Sequence, residues 1–272
     1  CNLGSINLVN HIRETFKADG SLSVRDINWT ALGETINIAI RMLDNVVDIN
    51  FYPTLEAQNS NLNHRPIGLG VMGLHDICHL LNVPIDSSES LDLNDKIFEF
   101  YSYNAILSSS RLAEERGQYK TFDGSLWDRN ILPLDSWNNL MDYRGKKKSH
   151  KTTLDWTVVR DSISKSGMRN SNVMAIAPTA TIGYINGVEQ SVEPNFSVLF
   201  VYENKSGNFY ITNPYFVNDM KEEGVWSPAV AQLVKTADGD LSLLNGEIPE
   251  WIKEKYKTAF DRDMFKLIEC NA

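Results

Sequence analysis

Three short stretches of this 272-residue chain carry residue types whose spacing could do chemistry. Ala177-Pro-Thr-Ala-Thr-Ile-Gly183 follows the apolar run Ser171-Asn-Val-Met-Ala-Ile-Ala177, a candidate buried strand. Its small and hydroxyl side chains leave successive backbone N–H groups accessible, which is how a turn cradles phosphate. The same residues read equally well as a strand-ending turn capped by Thr181. Gly68-Leu-Gly-Val-Met-Gly73 has dinucleotide-binding spacing, with Glu89 downstream for a ribose. That fingerprint requires a hydrophobic strand immediately before its first glycine. Asn61-Leu-Asn-His-Arg-Pro66 stands there instead, polar and broken by proline, so the glycines are expected to permit close strand–helix packing. An NAD(P)-binding oxidoreductase remains the alternative attached to this motif. His75 and His79, with Cys78 between them, have zinc-ligand spacing, but Asp76 stands where the metalloprotease pattern puts glutamate. They are expected to be packing histidines, with no metal site.

Elements must position these groups. The apolar residues Leu32, Ile36, Ile40, Leu43 and Val47 recur at three- and four-residue steps and predict a helix over 29–47. Ile97, Phe100, Tyr101, Ala105, Leu107 and Leu112 predict another over 93–115, capped by Asp92 or Asn94 and closed by Gly117. Ile67 to Leu81 reads as a strand passing into a helix that stops before Pro84. Residues 117–149 read as loop, including the basic run Lys146-Lys-Lys148, expected to be solvated. A helix over 155–166 precedes the candidate strand at 171–177. Val198-Leu-Phe-Val-Tyr202 and Phe209-Tyr-Ile-Thr212 flank Lys205-Ser-Gly-Asn208 as a hairpin. Shorter helices are expected near 214–223, 228–236 and 249–271. Helices alternating with single buried strands give an α/β fold. No repeat, low-complexity tract or composition shift divides the chain, so 1–272 is read as a single unit.

Bulk composition narrows the partners. A net charge of −9 disfavours nucleic acid and anionic membrane, which repel an acidic surface. No apolar run approaches the roughly 20 residues of a membrane helix, and the opening residues lack the basic region of a signal peptide. Cys1, Cys78 and Cys270 are odd in number and far apart, too sparse for a secreted disulfide framework. The cytoplasm is the expected compartment.

Taken in order, Cys1-Asn-Leu-Gly-Ser-Ile-Asn7, Arg65-Pro-Ile-Gly-Leu-Gly-Val-Met-Gly73, Gly167-Met-Arg-Asn-Ser171, Ala177-Pro-Thr-Ala-Thr181 and Ser191-Val-Glu-Pro194 resemble the ribonucleotide reductase large, catalytic subunit. Glu114-Glu-Arg-Gly117, Ile131-Leu-Pro133, Ser206-Gly-Asn-Phe209, Asn213-Pro-Tyr215 and Ile248-Pro-Glu-Trp251 extend the resemblance over essentially the whole chain. It implies the second half of a ten-stranded α/β barrel, and an oxidoreductase that makes deoxyribonucleotides for DNA replication. In that family a thiyl abstracts the ribose 3′-hydrogen, the 2′-hydroxyl leaves, and a cysteine pair is oxidised to a disulfide. Cys1 matches one redox-active cysteine of the pair, with its partner on an absent strand. Cys78 and Cys270 match no redox position and are expected to be buried thiols. Pro178, Thr179, Ala180, Thr181 and Ile182 match the loop holding the substrate phosphates. Some relatives carry a hydroxyl at Ile182, which here leaves only a backbone donor.

The resemblance also implies what acts from outside. The radical cysteine with its Asn and Glu lies upstream of Cys1, and the relay tyrosines and tail cysteines lie beyond Ala272. The segment is therefore expected to bind no cofactor itself and to be inactive alone. It would work with the remaining large-subunit segments, a metal-containing small subunit that supplies the radical, a ribonucleoside diphosphate and a thioredoxin or glutaredoxin reductant. A non-catalytic scaffold module of a split reductase is the other reading. The opening Cys1 is also compatible with an intein junction, or with an incomplete gene or a chosen boundary. Cys1 and the turn at 178–182 are expected to converge on one nucleotide.

Overall fold

The computed structural model describes residues 2–20, 22–146, 152–244 and 246–270. Cys1, Lys147 and Lys148 lie outside them. In chain order come β1 (Asn2–Asn7), β2 (Ile12–Phe16), β3 (Leu22–Ile27), α1 (Trp29–Ile49), α2 (Leu55–His64), β4 (Ile67–Met72), α3 (Leu74–Leu80), α4 (Ser88–Arg116), α5 (Pro133–Tyr143) and α6 (Thr157–Ser166). There follow α7 (Ala180–Asn186), β5 (Leu199–Asn204), β6 (Gly207–Thr212), α8 (Pro214–Glu222), α9 (Pro228–Thr236), α10 (Glu250–Lys255) and α11 (Met264–Cys270). This is a mixed α/β fold. No helix among the described residues is long and apolar enough to cross a membrane.

The chain divides into two compact units, each assembled from three separated stretches. No single point in the sequence separates them, which is why composition shows no boundary. The first unit comprises residues 1–7, 28–71 and 95–179. Its core is the predicted stripe of α1, where Leu32, Ile36, Ile40 and Val47 are fully buried, together with Ile67, Leu69 and Val71 of β4 and Ile97, Tyr101, Ala105 and Ile106 of α4. β1 pairs with β4. On the other side of β4, the Ile67 and Leu69 N–H groups donate to Asn172 O and Val173 O, and Ala175 N–H donates to Leu69 O. The expected strand at 171–177 is thus an extended segment with one parallel bridge, Leu69 to Met174.

Two glycines of the Gly68–Gly73 motif lie inside β4, not in a turn after it. A methyl on Gly70 would fall well inside 3.0 Å of the Ala175 carbonyl oxygen. The glycines therefore serve backbone approach within a buried sheet, and no dinucleotide turn forms. Asp44 of α1, fully buried, gathers Arg65, Arg116, Arg169 and Asn170 and so ties the residue before β4 to the residues before the extended segment.

The second unit comprises residues 8–27, 72–94 and 180–272. Val198, Phe216, Met220, Val234, Ile248, Ile252 and Tyr256 form its core. β2 pairs antiparallel with β3, and β5 with β6 in the expected hairpin. The helix expected over 249–271 is instead two short ones. Between them Thr258 N–H and Oγ1 both donate to Asp261 Oδ2, a local turn that competes with helix continuation. α4 starts before the predicted Asp92 or Asn94 cap, because Ser87 Oγ accepts from Ser90 N–H at 3.1 Å.

Candidate functional site

Of the site residues predicted from sequence, Cys1 lies outside the described residues, immediately before β1. Pro178 and Thr179 end the first unit, the former exposed and the latter buried. Ala180, Thr181 and Ile182 open α7 with exposed side chains, so the predicted turn is the first turn of a short helix. The first four N–H groups of a helix have no intrahelical acceptor, and Thr181 adds a hydroxyl. Such a start holds an anionic oxygen through backbone donors.

The segment after α7 fixes this turn from behind. Val188 N–H donates to Gly183 O at 3.0 Å, and Val188 O and Gln190 Cα lie 3.1 and 3.4 Å from where a Gly183 methyl would sit. The segment is in turn clamped to the start of α3. Gly73, in the left-handed region at φ 79°, donates its N–H to Glu189 O at 2.8 Å. The buried carboxylate of Asp76 accepts the Glu189 N–H at 2.6 Å. Burial pushes the Asp76 carboxyl up, against the Glu189 hydrogen bond that lowers it. Burial also pushes Glu189 up to about 7, with the charges of Asp76 and Glu193 adding to the effect and the Gln190 N–H bond opposing it.

His75 and His79 anchor the far end of the same segment. Asn195 N–H donates to His75 Nδ1 at 2.8 Å, and His79 Nε2 lies 3.2 Å from Asn195 Oδ1. The two rings pack at 4.1 Å between centroids. Burial holds the His75 pKa far down, helped by His79 and by Arg262, whose guanidinium lies 2.8 Å from Nε2. Burial likewise lowers His79 to about 3. Cys78, between them, is a buried thiol. The sequence marked these histidines as packing residues, but gave no sign that Asp76 pairs with Glu189 or the histidines with Asn195. Those pairings span more than a hundred residues and have no local signature.

The histidines set an acid limit on the fold. Their folded pKa values lie below the unfolded value near 6.5, so their contribution to stability is present above that pH. It is lost as pH falls toward 3, because the unfolded chain then binds more protons. Glu189 acts oppositely between its unfolded value and about 7, since there the folded form holds the extra proton. Replacing His79 with glutamine is therefore expected to flatten the acid side of the urea stability-versus-pH curve by up to about 1.4 kcal/mol per pH unit. An unchanged slope below pH 6 would show that His79 is not held neutral.

Comparison with known proteins gives the context. Residues 1–272 match the family described as the ribonucleotide reductase barrel domain. A ribonucleoside-diphosphate reductase subunit alpha of Chlamydia pneumoniae is 47% identical over 275 residues, covering 100% of this chain and 25% of the relative. The large subunit of Caenorhabditis elegans is 36% identical over 272 residues, covering 100% of the chain and 32% of the relative. That of Vaccinia virus (strain Copenhagen) is 37% identical over 272 residues, with 100% and 33% covered. The chain thus spans about a quarter to a third of the length of these curated relatives. With the match running from first residue to last, the chain belongs to the ribonucleotide reductase barrel-domain family.

Proposed function

We propose that this chain is part of the catalytic subunit of a ribonucleoside-diphosphate reductase and contributes half of a ten-stranded α/β barrel. Pro178, Thr179, Ala180, Thr181 and Ile182 bind the substrate's phosphates, and Cys1 supplies one of two thiols that reduce the ribose. The observation that carries this is the helix start at Ala180, whose exposed first turn follows the extended segment bridged in parallel to β4, a segment in which only Val173 is buried although the sequence suggested a buried strand. Backbone N–H groups and the Thr181 hydroxyl stabilise the phosphate charge by donating hydrogen bonds, while Ile182 contributes its N–H and an apolar side chain.

The chemistry balances on the thiols. Two cysteine thiols give up two electrons and two protons: one proton leaves with the 2′-hydroxyl as water, the other and the two electrons make the new 2′ C–H bond, and a disulfide forms. A thioredoxin-type or glutaredoxin reductant then restores the thiols. The radical is delivered by a metal-containing small subunit, and the remaining segments of the large subunit complete the site. The acidic chain works in the cytoplasm on a nucleotide, with no nucleic-acid partner.

The test uses the full-length subunit assayed with its small subunit. Cys1→Ser is expected to abolish multiple turnover, and Thr181→Ala to raise KM for the diphosphate about tenfold or more, roughly one hydrogen bond to a charged group. Full turnover in Cys1→Ser would leave the chain a scaffold and overturn the redox assignment.

A further inference from the structure

The three-glycine motif forms a buried strand and no dinucleotide turn, yet its last residue and the helix after it hold the segment that backs α7. The Gly73 N–H and the Asp76 carboxylate take the two backbone groups of Glu189, at 2.8 and 2.6 Å, so this residue is fixed on both sides of its peptide frame. One residue away on either side, Val188 and Gln190 touch Gly183, which directly follows Ile182. Displacing Glu189 therefore moves the support of the first turn of α7.

We propose that Asp76 is a positioning residue for the substrate's phosphates, acting through Glu189 on the turn formed by Ala180, Thr181 and Ile182. This rests on the phosphate-binding reading above. Asp76 touches no substrate atom; its carboxylate sets where the return segment lies. The same clamp is sensitive to charge. The Glu189 side chain accepts the Gln190 N–H at 3.2 Å within the same segment, and the groups around the pair are Glu193 on that segment and Tyr215 of α8, whose hydroxyl bonds Asp76. His75 and His79 on α3 are held neutral by burial, so no cation of that helix offsets a second carboxylate. Below about pH 7 Glu189 is protonated and the clamp holds one negative charge at most; above it, two carboxylates share one partly buried place.

The experiment measures KM and kcat for a ribonucleoside diphosphate across pH in the full-length subunit with its small subunit. Asp76→Ala is expected to raise KM about tenfold with kcat little changed, the loss of one charge-assisted hydrogen bond. Asp76→Asn, which keeps an acceptor, should restore most of the affinity. Wild-type KM should climb above pH 7 more steeply than that of Glu189→Gln or Asp76→Asn, whose curves retain only the substrate's own titration. Should Asp76→Ala fail to fold, Asp76→Ser decides the positioning role by the same KM reading, and the Glu189→Gln comparison decides the charge coupling. Superimposable KM curves for wild type and Glu189→Gln would overturn the charge coupling. An unmoved KM in Asp76→Ala, with Thr181→Ala raising it, would overturn the positioning role and leave the phosphate reading intact. An unmoved KM in both would remove the phosphate reading itself.

Discussion

Replacing Asp44 with alanine is expected to cost about 3–5 kcal/mol in urea unfolding. The carboxylate is fully buried and takes Arg65 Nε and Nη2 at 2.9 and 2.7 Å, Arg116 Nη1 at 3.0 Å, Arg169 Nε at 3.3 Å and Asn170 Nδ2 at 3.1 Å. Arg65 is itself nearly buried, and its second partner Asp48 is held below the usual carboxylate range chiefly by that bond. Without Asp44, guanidinium groups stay behind in a place with too few acceptors. Asp44→Asn should cost nearly as much, since its amide turns donors toward Arg116 and Arg169. Because Arg65 and Asn170 stand just before β4 and the extended segment, hydrogen exchange at the Leu69 and Ala175 amides should accelerate together. A loss below about 1 kcal/mol would mean that desolvation of the cluster cancels its attraction.

The two long helices were legible because their burial is written as a stripe. Leu32, Ile36, Ile40, Leu43 and Val47 are all buried as their spacing requires. α2 and α5 escaped because neither buries a residue, so no stripe exists to read. Their signals were local: Thr54 accepts from Ala57 N–H before α2, and Pro133 opens α5 with Asp135 accepting from Leu132 N–H. The hairpin of β2 and β3 was missed because Phe16, Leu22 and Val24 are exposed and show no one-sided pattern, although Asp19-Gly20 marks its turn. The turn at 178–182 was found through its sequence context, and its helical form follows from Gly183 admitting Val188 and Gln190 at close range. What holds that turn was invisible, because Asp76 meets Glu189 across 113 positions and no local pattern encodes a tertiary hydrogen bond.

Gly70→Ala is expected to destabilise the first unit by about 1–3 kcal/mol and to weaken diphosphate binding in the full-length subunit without touching substrate. The added methyl would meet the Ala175 carbonyl oxygen inside 3.0 Å, and backbone cannot rotate away as a side chain can. Ser5 Oγ, 3.4 Å off, and the Tyr101 hydroxyl, which donates to Gly70 O at 2.6 Å, limit retreat in other directions. The strain must therefore pass to the segment at 172–175, three residues before Pro178. Gly68 provides the control. A methyl there meets the Ala175 Cβ and Leu3 Cδ2, both at 2.7 Å; the leucine end can swing aside, and the fixed Ala175 Cβ is a milder clash than the carbonyl oxygen that a methyl on Gly70 would meet. Gly68→Ala should accordingly cost less in stability and less in KM than Gly70→Ala. The reverse order would show that side-chain crowding at the strand's start, and not carbonyl displacement near its end, controls the approach to the turn proposed to bind phosphate.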